Sequence, residues 1–226
     1  MEYDLTRFSF NSFQSFAQSL ALHVLGPGLE VFGSGADGGR DAAFTGRANY
    51  PSSEAPWDGY TVIQAKFKEK LTNDARDADW LVEQIKREQE KWAKASNRKR
   101  PDFYILISNV SLSPMPVTVT RKAVPKRGGA AKVDAAFDTF KKALKTKDCH
   151  VWAAEKIYRL LDMSPDSLKS SYALWITPNE LLWRILQERE GPDFARVIAR
   201  AAAQDLRENK FTRLQEAGHT SAENTS

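Results

Sequence analysis

The feature that most constrains the fold is an apolar segment from Tyr60 to Lys68 that carries polar side chains near its end. Its β-branched and aromatic residues are typical of a strand. Because the side chains of a strand alternate between its two faces, Gln64 and Lys66 share one face and their apolar neighbours share the other. The pattern therefore predicts two polar groups side by side at the end of a largely buried strand.

An acidic residue, Asp41, follows a glycine-rich turn at 35–39. A lysine in an apolar strand needs an acidic or phosphate partner, because burying an unpaired ammonium group costs free energy. Asp41 is the nearest good candidate for Lys66, and it lies 25 residues upstream, which is enough for one hairpin. The two segments together could hold a metal ion beside a lysine.

The composition is that of a globular, intracellular protein. The chain has 226 residues, 42% of them hydrophobic, which suits one core with a small appended piece. Its one cysteine, Cys149, excludes an internal disulfide framework and fits a reducing cytoplasm. Neither a signal peptide nor a run of 18 apolar residues occurs, so we expect a cytoplasmic protein without a membrane span.

The positive charge is concentrated in two segments. Residues 86–100 contain seven Lys and Arg against two Glu, a net charge of +5, and residues 121–147 contain nine against two Asp, a net charge of +7. The whole chain carries +4, so the remainder carries −8. One such run is commonly a solvated helix face, but two on an otherwise acidic chain favour a polyanion-binding surface.

Hydrophobic periodicity predicts an α/β domain with the element order α-β-β-β-α-β-α-β. The first helix is expected to start at Asn11, with Gln14 completing a capping box, and to end near Gly26. Polar loops are expected at 47–56 and 111–131. The predicted strands are 29–32, 41–45, 60–68, 103–107 and 150–153, and the two later helices are 77–95 and 132–146.

The C-terminal part is predicted to be helical, at 157–161, 166–175, 179–190 and 193–208. A polar tail follows at 215–226. We expect a main domain at 1–155, a helical extension packed on or following it at 156–210, and a linker or tail at 211–226.

The motifs Gly38-Gly39-Arg40-Asp41 and Gln64-Ala65-Lys66 resemble the nuclease signature of the PD-(D/E)xK superfamily, in its Mrr-like restriction endonuclease branch. The flanking segments 57–60 and 79–81 are similar to the N-terminal nuclease effector domain of bacterial antiviral STAND NTPases (Avs-type), over about residues 5–176. The resemblance implies an α/β, restriction-endonuclease-like fold: a mixed central sheet flanked by helices, followed by a small C-terminal helical segment.

The resemblance also implies a Mg²⁺ site, in which Mn²⁺ is an expected substitute. Asp41 would be the principal ligand, with the backbone carbonyl of Ala65 and the amide of Gln64, and Lys66 would orient the attacking water and stabilise the transition state. Gln64 stands where the superfamily usually has an acid, so weaker metal binding is expected. Gln14 is a further candidate site residue, because related sequences often have glutamate in the first helix.

The implied activity is that of a DNA endonuclease with little sequence specificity, acting as an effector in bacterial anti-phage defence. Its expected partners are double-stranded DNA, further copies of the chain on activation, and a covalently linked NTPase and sensor region to which 211–226 would lead. Basic residues would contact the nucleic acid backbone. They are Arg40, Lys68, Lys86, Lys91, Arg98, Lys99, Arg100, Arg121, Lys122, Lys126 and Arg127.

Two alternatives remain open from the sequence. One is a nuclease-like fold without activity that serves as a DNA-binding or oligomerisation module, which the glutamines at positions 64 and 14 favour and the intact Asp41 and Lys66 oppose. The other is RNA as the substrate, which nothing in the charge pattern excludes.

Overall fold

The computed structural model describes residues 3–33, 40–72, 75–94, 99–114, 128–178 and 181. These residues form an α/β structure in which one mixed sheet lies between helices. The strands are β1 (Leu29–Val31), β2 (Ala42–Pro51), β3 (Pro56–Lys66), β4 (Phe103–Ser108) and β5 (Asp148–Trp152). The helices are α1 (Phe10–Leu25), α2 (Ala75–Lys94), α3 (Gly129–Leu144), α4 (Ala154–Asp162), α5 (Asp166–Ser171) and α6 (Ala173–Ile176).

The five strands lie in the sheet in chain order. β1, β2 and β3 pair antiparallel, whereas β3, β4 and β5 pair parallel. The parallel pairs need crossover connections, which contain α2 and α3. The predicted mixed sheet with flanking helices is therefore confirmed.

Each face of the sheet has its own apolar core. On one face, side chains of α1 and α4 pack with alternate residues of β3, among them Ile63 and Ala65. On the other face, α2 and α3 pack with Val62 and with residues of β4 such as Leu106. β4 is buried along its whole length because it is covered on both faces, which explains its continuous apolar sequence.

The start of α1 differs from the sequence prediction. Ser9, not Asn11, is the N-cap, and its side chain and that of Ser12 form the reciprocal capping box. A serine at the third helical position can return the hydrogen bond that Gln14 was expected to make. Gln14 instead lies buried further along the helix.

The polar segment predicted as a loop at 47–56 is largely strand. β2 continues to Pro51 and β3 already begins at Pro56, so the two strands make a longer hairpin than expected. The second half of β2 alternates, with Ala48 and Tyr50 buried between exposed residues. Such alternation is the pattern of a strand with one wet face, which the proline at position 51 obscured.

Residues up to Ile176 form one compact unit, and a second begins at Thr177. Within the first unit, α4 to α6 contribute to the same core as α1, through residues such as Ile157 and Trp175. The predicted helices at 179–190 and 193–208 and the tail lie outside the described residues. Among the helices that the structure does describe, none combines the length and the apolar character needed to cross a bilayer.

Candidate active site

Asp41 is fixed by backbone contacts just before β2. Its N–H donates to the carbonyl of Ile63 at 3.1 Å, and its carbonyl accepts from the N–H of Phe32 at 2.9 Å. Gln18 of α1 donates from Nε2 to the carbonyls of both Phe32 and Asp41, each at 2.8 Å. These bonds hold Asp41 beside β3, and only 5% of the residue is exposed.

The Asp41 carboxylate joins the two sequence motifs directly. Its Oδ2 accepts from Nε2 of Gln64 at 2.7 Å and from the backbone N–H of Ala65 at 2.6 Å. In a strand the N–H and the C=O of one residue face the same neighbour, so the carbonyl of Ala65 also faces the Asp41 side. Two of the predicted metal ligands, Asp41 and Gln64, are therefore in contact, and the third, the carbonyl of Ala65, belongs to the residue whose N–H binds Asp41.

Lys66 lies on the predicted face of β3, but its acidic partner is Glu88 of α2 and not Asp41. Lys66 Nζ donates to Glu88 Oε1 at 2.6 Å. The prediction was wrong because strand alternation fixes the face of a side chain but not the helix that covers it. Glu88 falls on the inward stripe of α2, and a charged residue at an inward helical position was the signal that could have identified it.

Two buried oxygens in this region, Gln64 Oε1 and Glu88 Oε2, have no hydrogen-bond partner among the described residues. The Trp92 indole and the Tyr104 hydroxyl miss the geometry of a hydrogen bond, but Trp92 lies close enough to lower the pKa of Tyr104. Buried polar groups are normally paired, and an unpaired one costs about 1–3 kcal/mol. The two unpaired oxygens therefore need an explanation, and a bound ligand is one.

The Tyr104 hydroxyl on β4 is under the influence of both carboxylates. Burial raises the pKa of the Tyr104 hydroxyl well above its ordinary value, and the negative charges of Glu88 and Asp41 raise this pKa further. Both carboxylates therefore lie within electrostatic reach of one hydroxyl on β4. Tyr104 keeps its proton and can serve only as a neutral hydrogen-bonding group at ordinary pH.

The oxygen atoms of this cluster fit a hard divalent cation. Asp41 and Glu88 supply carboxylates, and Gln64 supplies an amide oxygen that has no donor among the described residues. Oxygen ligands of this kind suit Mg²⁺, which retains several waters and needs few protein ligands. Within the described ranges, no group of three His, Cys, Asp or Glu side chains is assembled for a metal. The fit therefore depends on the amide and backbone oxygens in addition to two carboxylates.

No protein-family model, curated protein or solved structure matches this chain. Function is therefore inferred first from the chemistry of Asp41, Gln64, Lys66 and Glu88. We call these four residues the acidic-lysine cluster.

A pair of cations lies at one tyrosine on the same face of β3. Arg40 Nη1 donates to the Tyr60 hydroxyl at 3.0 Å, and the Arg40 guanidinium lies 4.8 Å from the centre of the Phe32 ring. Lys99 Nζ lies 4.9 Å from the centre of the Tyr60 ring. We call Arg40, Tyr60 and Lys99 the Tyr60 cation cluster. It unites two of the predicted backbone-binding residues, one next to Asp41 in sequence.

The other predicted cations are dispersed. Lys68 forms an ion pair with the buried carboxylate of Asp77 and lies near the Trp80 ring. Its charge therefore neutralises an acid in the first turn of α2. Lys91 pairs with Glu88 at 2.8 Å, whereas Lys86 and Arg100 are exposed. The predicted residues Arg98, Arg121, Lys122, Lys126 and Arg127, and the motif glycines Gly38 and Gly39, lie outside the described residues.

Helix α1 reaches the site through a residue that the sequence did not single out. Gln18, one turn after Gln14, binds the carbonyl of Asp41. Gln14 is buried on the same helix, but it is Gln18 that positions the Asp41 segment. An amide one helical turn from a predicted site residue was the available signal.

Proposed function

We propose that the chain is a Mg²⁺-dependent endonuclease that hydrolyses phosphodiester bonds in DNA, on a restriction-endonuclease-like fold of the PD-(D/E)xK type. The observation that carries the proposal is the Asp41 carboxylate, which accepts hydrogen bonds from Gln64 and from the backbone of Ala65. Two motifs 23 residues apart in sequence thus meet in the order that such a nuclease requires. The mixed sheet, antiparallel at β1–β3 and parallel at β3–β5, is compatible with that fold.

The proposed roles follow from the position of each group. Asp41, the amide oxygen of Gln64 and the carbonyl of Ala65 would hold the cation, which neutralises phosphate charge and supplies hydroxide near neutral pH when bound. The Lys66 side chain is 14% exposed, so its ammonium can reach a substrate at the surface of the site. It would orient the attacking water and stabilise the negative charge of the transition state.

The Tyr60 cation cluster supports a nucleic acid substrate. Arg40 and Lys99 bring two positive charges to the ring of Tyr60. Tyr60 lies on β3, the strand that also carries Gln64. A guanidinium and an ammonium suit phosphate oxygens, and such contacts position a nucleic acid without reading its sequence. Such contacts suit both DNA and RNA, and double-stranded DNA cleaved with little sequence specificity is the substrate that the resemblance of the motifs supports.

The proposed setting is the bacterial cytoplasm, where the chain would act as an effector of anti-phage defence. Linked to an NTPase and sensor region, copies of the chain would come together when that region is triggered. Clustering would align two nuclease centres on one duplex. This part of the proposal rests on the resemblance of the Asp41 and Lys66 motifs.

The test is cleavage of supercoiled plasmid by the purified chain, with Mg²⁺ and with a chelator, at rising protein concentration. We expect metal-dependent nicking or linearisation that Lys66→Ala reduces by about a hundredfold or more. Lys156→Ala is the matched control, because Lys156 is an exposed lysine on α4. Cleavage that survives the chelator, or is equal in Lys66→Ala, would contradict the proposal.

The competing candidate is a nuclease-like module without activity, favoured by the neutral Gln64 in place of a second acid on β3. It predicts DNA binding without cleavage at any concentration. Repeating the assay on an artificially dimerised chain separates the two candidates, because a latent nuclease gains activity on clustering and an inactive module does not.

A further inference from the structure

The carboxylate of Glu88 is unusually placed for a surface helix. It lies on the inward stripe of α2 between Ile85 and Trp92, and Glu88 is only 1% exposed. A buried carboxylate is costly unless it is paired and hydrogen-bonded. Its position at Lys66, a residue of the proposed catalytic machinery, calls for a functional explanation.

The two oxygens of Glu88 have different surroundings. Oε1 accepts from both Lys66 at 2.6 Å and Lys91 at 2.8 Å. Oε2 is equally buried but has no hydrogen-bond partner among the described residues. A carboxylate placed only to neutralise Lys66 would not need a buried oxygen without a donor, so this atom points to a ligand.

Gln64 has the complementary arrangement. Its Nε2 donates to Asp41, which leaves Oε1 as a second buried acceptor without a donor in the described part of the chain. Gln64 and Lys66 share one face of β3, and Lys66 is in contact with Glu88. The unpaired oxygens of Gln64 and Glu88 thus belong to residues that are connected through the position of Lys66 on β3. Oxygen atoms of this kind are the ligands that a hard cation prefers.

We propose that Glu88 supplies the second carboxylate of the divalent cation site, and that Lys66 and the cation compete for it. The proposal rests on the proposed nuclease function and names the acid that position 64 lacks. Asp41 with a neutral Gln64 would offer the cation one negative charge, and Glu88 raises the number to two. Without the cation, Lys66 is held by Glu88, and when the cation is bound, Lys66 is available to the substrate.

Because of this competition, substitutions of Glu88 and of Lys66 are expected to change the affinity for Mn²⁺ in opposite directions. Glu88→Gln removes a ligand charge and is expected to weaken Mn²⁺ binding at least about tenfold. Lys66→Met removes one of the two ammonium groups at Glu88, leaving the exposed Lys91, and is expected to tighten Mn²⁺ binding several-fold. A purely structural ion pair predicts no tightening in Lys66→Met, because both substitutions then only disturb the fold.

The experiment is calorimetric titration of the apo protein with Mn²⁺, supported by the Mn²⁺-dependent shift of the melting temperature. Glu83→Gln is the matched control, since Glu83 is an exposed acid on the same helix. The double variant Lys66→Met/Glu88→Gln keeps a neutral pair and is expected to bind Mn²⁺ as weakly as Glu88→Gln. The double variant also controls for misfolding of Glu88→Gln, in which Lys66 loses its carboxylate partner.

Each outcome has one meaning. Wild-type affinity in Glu88→Gln, or no gain in Lys66→Met, overturns the role of Glu88 and leaves the nuclease proposal standing. If the wild-type chain binds no Mn²⁺ and cleaves no DNA, the proposed function and the role of Glu88 both fail.

Discussion

At the scale of single residues, Gly59 and Asp102 fix the position of Tyr60. Asp102 Oδ2 accepts from the N–H of Tyr60 at 2.9 Å. A side chain at position 59 would place its Cβ 2.7 Å from the same oxygen, and the backbone there has φ +152°. Only glycine combines this conformation with so close an approach. Gly59 therefore fixes the position of Tyr60, and with it the Tyr60 cation cluster, through Asp102.

We predict that Gly59→Ala lowers the free energy of unfolding by roughly 1–3 kcal/mol. The added Cβ must displace the Asp102 carboxylate and break its bond to Tyr60. Denaturant unfolding of the purified chain measures the loss. Gly33→Ala is the control, because no atom of the described residues lies within 4 Å of a Cβ there, and its effect is expected to stay within about 0.5 kcal/mol. Equal stability of the two variants would contradict this account.

At this scale the sequence predicts Asp41, Gln64 and Lys66 as site residues, whereas Glu88 was expected only to face inward on its helix and Gln18 was not singled out. Alternation along a strand assigns faces, so the side-by-side placement of Gln64 and Lys66 was predictable. The partner of Lys66 depends on how α2 crosses the sheet, which the local sequence does not encode. The contact of Gln18 depends on the carbonyl directions at β1 and β2, which are equally non-local.

At the scale of elements, a buried polar chain connects the far end of β2 to β5. Trp152 Nε1 donates to the Tyr50 oxygen at 2.8 Å, and this oxygen lies 2.6 Å from His150 Nδ1. Because His150 Nε2 faces the Asp148 carboxylate at 3.2 Å, the neutral ring is assigned its proton on Nε2, and the Tyr50 hydroxyl then donates to Nδ1. This connection depends on the length of β2, because Tyr50 belongs to the part of the strand that was predicted to be a loop.

We predict that this connection makes stability depend on pH. Burial lowers the pKa of His150, against the opposing charge of Asp148, so the unfolded chain binds the proton more readily. The contribution is fully present above pH about 6.5 and is lost as the pH falls below that value, by at most about 1.4 kcal/mol per pH unit. Protonated His150 would also leave the Tyr50 hydroxyl proton without an acceptor.

Unfolding measured between pH 5 and 8 checks this prediction. His150→Gln should remove the slope below pH 6.5, whereas His23→Gln, at an exposed histidine of α1, should retain it. An unchanged slope in His150→Gln would assign the pH dependence to other groups.

The elements were predictable to the extent that their patterns are local. The strand predicted at 103–107 and the helix predicted at 77–95 nearly coincide with β4 and α2. The second half of β2 was missed because its alternating residues are few and end at Pro51. The start of α1 was misplaced because Ser9 and Asn11 are both good caps, and tertiary packing decides between them.

At the scale of the whole molecule, the mixed sheet explains why the site forms where it does. β2 ends its pairing with β3 at Ala42, so the carboxylate of Asp41 replaces the next backbone partner of β3. α2 covers the same end of β3 and brings Glu88 to Lys66. The site therefore lies at the end of β3, which pairs antiparallel with β2 and leads into the crossover to the parallel strand β4. Its residues come from three segments that are distant in sequence.

If the acidic-lysine cluster is a metal-dependent hydrolytic centre, as we propose, the variant Asp41→Asn should lose cleavage. We would measure cleavage of a double-stranded DNA fragment by the wild-type chain, by Asp41→Asn and by the exposed control Asp79→Asn, with DNA binding measured in parallel. The account predicts Mg²⁺-dependent cleavage that falls by about a hundredfold or more in Asp41→Asn alone, with DNA binding retained. Cleavage by Asp41→Asn at the wild-type rate would contradict it.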